Sequence, residues 1–256
     1  MRIAVAGGTG AVGRHVVDAV TTAGHEPVVL ARSRGVDLST GQGLDAALAG
    51  VDTVVDVSNV TTLSRTTAER FFVTATKHLM LAGRRAGVRH HVVLSIIGVD
   101  RSPFGYYRAK LRQEDVALAG PVPTTVLRAT QFHEFVDQTM ARVPGPVAVV
   151  PRMLMQPVAA AEVAAHLVGL TAGEPRGRAA ELAGPQVLEL VDLAHELTAV
   201  RGLRRPILSV RFPGGAGRAM VDGSLLPLRD GPRGELRFTD WLAADANRGW
   251  SSPPQV

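Results

Sequence analysis

The chain has 256 residues, 46% of them hydrophobic, no cysteine and a formal charge of +5. That length and apolar content fit one large α/β domain, or a nucleotide-binding domain with a smaller lobe, and exclude a disordered chain. The missing cysteine removes disulfides, thiolate metal sites and cysteine nucleophiles, and no apolar run approaches a membrane span.

The strongest signal comes first in the chain. Ile3 to Ala6 forms a short apolar strand that runs into Gly7-Gly-Thr9-Gly10-Ala11-Val12-Gly13, a Gly-x-x-Gly-x-x-Gly turn. An amphipathic stretch with Val12, Val16, Val17 and Val20 follows at once. Glycine lets the backbone turn sharply and approach a ligand, and a helix N-terminus points free N–H groups at an anion. Strand, glycine turn and helix in that order predict a diphosphate site of the dinucleotide type, with Gly7, Thr9, Gly10, Ala11, Val12 and Gly13 as cofactor contacts.

Strands are predicted near 2–6, 26–31, 53–57, 90–96 and 124–128, and helices near 11–23, 43–49, 65–87, 105–119 and 131–141. Strands such as Thr53-Val-Val-Asp-Val57 and Val92-Val-Leu-Ser-Ile96 are nearly all apolar, as in a parallel sheet covered on both faces. The expected fold class is therefore α/β, a Rossmann doubly wound parallel sheet with right-handed crossovers. Beyond Val143-Pro-Gly-Pro146 the rhythm loosens, with helices near 159–172 and 189–201. The expected division is a nucleotide-binding domain over 1–150 and a small C-terminal substrate lobe over 151–256, with 156–172 returning to the first domain. The tail Ser251–Val256 is expected to fray.

The end of the second strand bears on the kind of dinucleotide. An acid there grips the ribose 2′-hydroxyl of NAD, but the chain reads Leu30-Ala-Arg32-Ser33-Arg34. Arg32 and Arg34 can pair with a 2′-phosphate and Ser33 can donate to it, so NADP(H) is favoured over NAD(H). Asp37 and Leu38 are placed beside the adenine, and Ser58 and Asn59, after the third strand, over the cofactor.

The second constellation is Gly105-Tyr106-Tyr107-Arg-Ala-Lys110, preceded by Ser95 at the end of the fourth strand. Tyr106 and Lys110 are i and i+4 and share a helix face. An ammonium beside a phenol pulls its pKa down, and such a tyrosine can pass a proton to a carbonyl oxygen. Only two of the 28 basic residues are lysines, Lys77 and Lys110, so a lysine at this spacing invites a chemical reason. Tyr107, at i−3 from Lys110, is the alternative phenol.

The other signals are weaker. Gln131, Phe132 and His133 follow the fifth strand, where open α/β sheets place ligands, and are expected to line the substrate pocket. His90-His91 reads as an exposed pair at a strand edge rather than a metal site. Met153 and Met155 line a pocket or pack a core. Short, interrupted basic groups with few neighbouring aromatics argue against nucleic acid.

Gly7-x-x-Gly10-x-x-Gly13, Ser95, Tyr106-x-x-x-Lys110 and Leu127-Arg-Ala-Thr-Gln-Phe132 together resemble the atypical or extended short-chain dehydrogenase/reductases, with the NmrA-like NAD(P)-binding proteins as the nearest branch. The resemblance covers about residues 1–172, including Gln156-Pro-Val158. It implies a sheet of about seven parallel strands, Tyr106 as proton donor, Lys110 holding the nicotinamide ribose, and Ser95 orienting the carbonyl. The expected activity is NADP-dependent reduction of a carbonyl, quinone or enone on a small to medium apolar or aromatic substrate. A redox-sensing regulator without turnover and a non-redox cyclase or dehydratase are the alternatives. A cytoplasmic location and a homodimer are expected, without membrane or nucleic-acid partners and without a metal.

Overall fold

The computed structural model describes residues 1–62, 64–141 and 145–247. The expected frayed tail, 251–256, lies outside them, as do residues 143 and 144 of the break at 143–146.

The first half of the chain alternates strand and helix: β1 (Arg2–Ala6), α1 (Ala11–Thr22), β2 (Glu26–Leu30), α2 (Leu44–Ala47), β3 (Thr53–Asp56), α3 (Arg65–Ala86), β4 (His90–Ile96), α4 (Gly105–Leu118) and β5 (Thr124–Ala129). A single 3₁₀ turn, Arg32–Arg34, follows β2. Then come α5 (Phe135–Ala141), β6 (Ala148–Pro151), β7 (Leu154–Met155), α6 (Ala160–Thr171), β8 (Gly177–Arg178), β9 (Leu188–Glu189), α7 (Leu190–Val200), β10 (Ile207–Val210), α8 (Gly214–Val221) and α9 (Phe238–Asn247). No described helix is long and apolar enough to cross a membrane.

The main sheet has six strands in the order β2-β1-β3-β4-β5-β8, every pair parallel. Alternate residues of each strand feed opposite cores, because successive side chains leave opposite faces. Ala4, Val54, Val93 and Val126 pack with Leu44, Ala75 and Leu79 from α2 and α3. Ile3, Val5, Val55, Val92 and Leu127 pack with Val16 and Val20 of α1 and with Val163 and Leu167 of α6. So α6 lies against the main sheet, although it follows β6 and β7 in the chain.

Three expectations need correction. The sheet has six strands rather than about seven: β8 contributes only Gly177–Arg178, and the other late strands form two-stranded sheets, β6 with β10 and β7 with β9. The helix expected over 131–141 starts only at Phe135, because Phe132 bridges Val158 and the His133 amide donates to the Val158 carbonyl at 3.2 Å. His90 and His91 are not an exposed edge pair. Both lie inside β4, 4% and 2% exposed, between β3 and β5, and His90 Nε2 is hydrogen-bonded to the Thr125 hydroxyl at 2.8 Å.

The lobe has its own core of Val136, Met153, Met155, Leu190, Leu193, Leu197, Phe238 and Trp241. Met153 and Met155 are 2% and 0% exposed, so they pack that core. Tyr107 of α4 packs against it, coupling this core to the helix that flanks the main sheet.

Candidate active site

A parallel sheet brings the C-terminal ends of its strands to one edge, and most of the sequence-predicted site residues collect there. At the end of β1 the backbone turns at Gly7, whose φ of 79° favours glycine. A Cβ at Gly7 would sit 2.9 Å from the Ser58 Cα, and one at Gly13 would be driven into the Gly7 carbonyl oxygen. Gly10 caps α1 without a side-chain hydrogen bond, so the first-turn N–H groups have no partner within the helix. Thr9, Gly10 and Ala11 are exposed. This bare backbone cradle at a helix N-terminus fits a diphosphate in both space and charge.

The Gly7 amide donates to the Leu30 carbonyl at 3.2 Å, tying the cradle to the end of β2. Arg32, Ser33 and Arg34 extend the edge from there, all exposed, with no carboxylate in the stretch. Asp37 accepts from the Ser39 amide at 2.7 Å. The Leu38 side chain turns into the core instead, 8% exposed, and its carbonyl meets the His78 ring at 2.8 Å.

After β3, the Ser58 amide donates to the Asp56 carboxylate at 2.9 Å, and Asn59 is exposed beside it. The start of α4 arrives at the same place. The Tyr106 hydroxyl donates to Asn59 Oδ1 at 2.6 Å, so two residues chosen independently from sequence meet in space. The Tyr106 ring packs edge-on against Phe72 at 5.6 Å. The Lys110 ammonium lies 4.7 Å from the centre of that same ring.

Their electrostatics differ from the sequence expectation. Burial, with the Tyr107 hydroxyl adding to it, pushes the Tyr106 phenol up, and the hydrogen bond to Asn59 only partly offsets this. The ammonium, expected to pull the phenol down, is instead turned inward, donating to the Leu94 carbonyl at 2.7 Å and to Gln113 Oε1. Burial brings Lys110 down to about 8, against the opposing pull of Asp56 and Glu114. Tyr106 is thus a protonated phenol at neutral pH.

Ser95 is also turned inward. Its hydroxyl donates to Glu114 Oε1 at 2.6 Å, inside an ion pair in which Arg128 grips both oxygens of Glu114 at 2.9 and 2.8 Å. Arg128 reaches Asp100 at 2.8 Å as well. Ser95 and Glu114 are 2% and 0% exposed, so this serine proton is committed to a carboxylate.

Tyr107 is pushed up by burial and accepts from Gln131 Nε2 at 3.3 Å, with Phe104 edge-on at 6.2 Å. The three residues expected in the substrate pocket diverge. Gln131 meets Tyr107, Phe132 packs on the side of the sheet that carries α6, and His133 is fully buried against the stacked pair Phe238 and Trp241. Sequence reasoning missed Asp56, Gln113, Glu114 and Arg128. The first available signal was Gln113-Glu114, at i+3 and i+4 from Lys110, polar residues on the face that carries the lysine.

Residues 3–118 match the family described as NAD dependent epimerase/dehydratase. The chain is 33% identical over 227 residues to a (4-alkanoyl-5-oxo-2,5-dihydrofuran-3-yl)methyl phosphate reductase of Streptomyces griseus subsp. griseus, covering 80% of this chain and 75% of that one. The chain belongs to the NAD dependent epimerase/dehydratase family. It is an NAD(P)-dependent enzyme of the short-chain dehydrogenase/reductase type. Solved structures with the same fold include MoeE5 in complex with UDP-glucose and NAD, at 20% identity, a TM-score of 0.76 and 98% and 100% coverage of the two chains. A short-chain dehydrogenase/reductase superfamily protein from Agrobacterium tumefaciens with bound NAD aligns at 20% identity, TM-score 0.70 and 96% of each chain. UDP-N-acetylglucosamine 4-epimerase from Bacillus cereus aligns at 18%, 0.72 and 99% of each.

Proposed function

We propose that the chain is an NADP-preferring reductase of the NmrA-like branch. It would act on a carbonyl, quinone or enone in a small to medium apolar or aromatic compound. The observation that carries this reading is the meeting of Tyr106 with Asn59 beside the glycine cradle, where a protonated phenol stands at the strand ends.

Bound in the cradle, a reduced nicotinamide would supply the hydride that a carbonyl carbon accepts. The chain's own residues do the rest. Tyr106 releases its hydrogen bond to Asn59 and donates the proton to the developing alkoxide. The phenolate left behind sits in a half-buried place, and for Lys110 to offset that cost its ammonium would have to leave the inward bonds to Leu94 and Gln113 and turn to the phenol. Ser95 keeps its proton on Glu114, so its role is to hold β4 against α4 rather than to orient the carbonyl. Arg32, Ser33 and Arg34 support a 2′-phosphate, since an exposed basic turn stands where an acid would serve NAD. The alkanoyl and oxo groups named for the Streptomyces griseus reductase support a carbonyl or enone substrate, although that compound also carries a phosphate. Phe104, two residues before Tyr106 and 40% exposed, supports an apolar or aromatic substrate. We assign 1–150 to cofactor binding and 151–256 mainly to substrate selection, with 156–172 serving the sheet.

The test is NADPH oxidation against a panel of carbonyls, quinones and enones. Loss of the reduced-nicotinamide absorbance with a matching alcohol, hydroquinone or saturated product supports the reading. Conversion with no net change in the cofactor would instead make the chain an epimerase or dehydratase, and NADP binding without any conversion would make it a sensor.

A further inference from the structure

Behind the candidate active site runs a buried chain of polar groups that the proposed reaction does not use directly. Lys110 Nζ donates to Gln113 Oε1, and Gln113 Nε2 donates to Asp56 Oδ2 at 3.0 Å. The other oxygen of Asp56 accepts the Ser58 amide at 2.9 Å. Asp56 and Gln113 are each 1% exposed, Lys110 and Ser58 each 5%. An amide has one acceptor end and one donor end. With Asp56 taking the donor end, Gln113 has only its oxygen to turn to the ammonium. The chain joins three elements: β3 through Asp56, α4 through Gln113 and Lys110, and the cofactor cradle through Ser58, whose Cα stands where a Gly7 Cβ would go.

A buried ammonium without counter-charge loses its proton. The groups facing Lys110 are the Leu94 carbonyl of β4, the Phe72 ring of α3, Gln113 and Glu114 of α4, and Asp56 of β3. Glu114 is already engaged by Arg128 and Ser95. His91 of β4 lies 4.0 Å from Asp56 and is held neutral, brought down to about 4 by its burial, so it adds no positive charge there near neutral pH. The carboxylate not already neutralised by an arginine is therefore Asp56, and Gln113 is its link to the lysine.

We propose that Asp56 and Gln113 are positioning residues that keep Lys110 protonated and fix the direction of its ammonium. This rests on the reading that Lys110 serves the reaction centre, but its test does not need turnover. With two lysines in the chain, isotope-labelled lysine gives two side-chain resonances, assigned by Lys77→Arg, and the pH titration of Lys110 is read from the apoprotein by NMR. Wild-type Lys110 is expected to titrate at about 8. Asp56→Asn and Gln113→Met each move its midpoint at least about one pH unit lower. The double variant Asp56→Asn/Gln113→Glu transposes the charge while keeping both hydrogen bonds, since the carboxylate introduced on α4 would accept from both Lys110 and the amide introduced on β3. It returns the midpoint to the wild-type value or above.

Single variants that titrate like wild type, or a double variant no better than the singles, would overturn the proposal. If Asp56→Asn does not fold, Gln113→Met and the double variant carry the same comparison. Turnover of Lys110→Met with NADPH and an aromatic quinone is measured separately. Full turnover there removes Lys110 from the reaction, while the titration still decides whether Asp56 and Gln113 hold its proton.

Discussion

Tyr106 and Tyr107 are neighbours with different environments, and their chemistry should separate accordingly. Tyr106 stands at the strand ends on Asn59, whereas Tyr107 is lodged against the lobe core and Gln131. Tyr106→Phe is expected to lower kcat by about 100-fold or more, the scale of a lost general acid, with NADPH affinity nearly unchanged. Tyr107→Phe should keep most turnover. Stopped-flow and equilibrium titration of both variants check this. The tyrosine–lysine spacing and Asn59 were legible from sequence because they follow helix periodicity and strand ends. The inward turn of Lys110 was not, since it depends on Gln113 meeting Asp56, 57 residues away in the chain. At the adenosine end, Arg32→Ala is expected to weaken NADPH by about tenfold, the worth of one charge-assisted hydrogen bond, and to leave NADH unchanged. Equal weakening of both, measured by calorimetry, would remove the 2′-phosphate contact.

Among elements, the turn between β1 and α1 and the central strand β4 make the sharpest demands. Gly13→Ala would push a methyl group into the Gly7 carbonyl. Overpacking of this kind costs about 1–3 kcal/mol, so the variant should melt lower and bind dinucleotide poorly, as thermal denaturation and titration would report. In β4, His91 is held neutral by burial, with its pKa brought from 6.5 down to about 4. The unfolded chain then takes up this proton first as pH falls. Stability present above about 6.5 is lost towards 4, at up to about 1.4 kcal/mol per pH unit. His90 is shifted the same way by burial. His91→Leu should flatten the fall in Tm across that range. Apolar strands and amphipathic helices made β1 to β5, α1, α3, α4, α6 and α7 readable in advance. The two histidines were not readable, because their burial is decided by neighbours on the adjoining strands, Thr125 for His90 and Asp56 for His91. Nor was β8, since two residues carry no periodicity.

On the scale of the molecule, two cores on either side of one parallel sheet hold the strand ends in register, and a third core holds the lobe over them. Arg101 fastens the two parts, donating to the Ser224 and Leu226 carbonyls at 2.9 and 2.7 Å. The fold class was legible throughout, but the lobe was not. Its short strands and Pro/Gly turns give little period, and its packing rests on contacts such as His133 with Trp241, far apart in sequence. Everything functional depends on the backbone cradle at Gly7–Gly13 receiving a dinucleotide diphosphate. Isothermal titration calorimetry with NADPH, NADP⁺, NADH and NAD⁺ tests this most directly. One site per chain is expected, tighter for the phosphorylated pair and abolished by Gly13→Ala at a temperature where that variant remains folded. Absence of binding by all four nucleotides, or binding that survives Gly13→Ala unchanged, would contradict it.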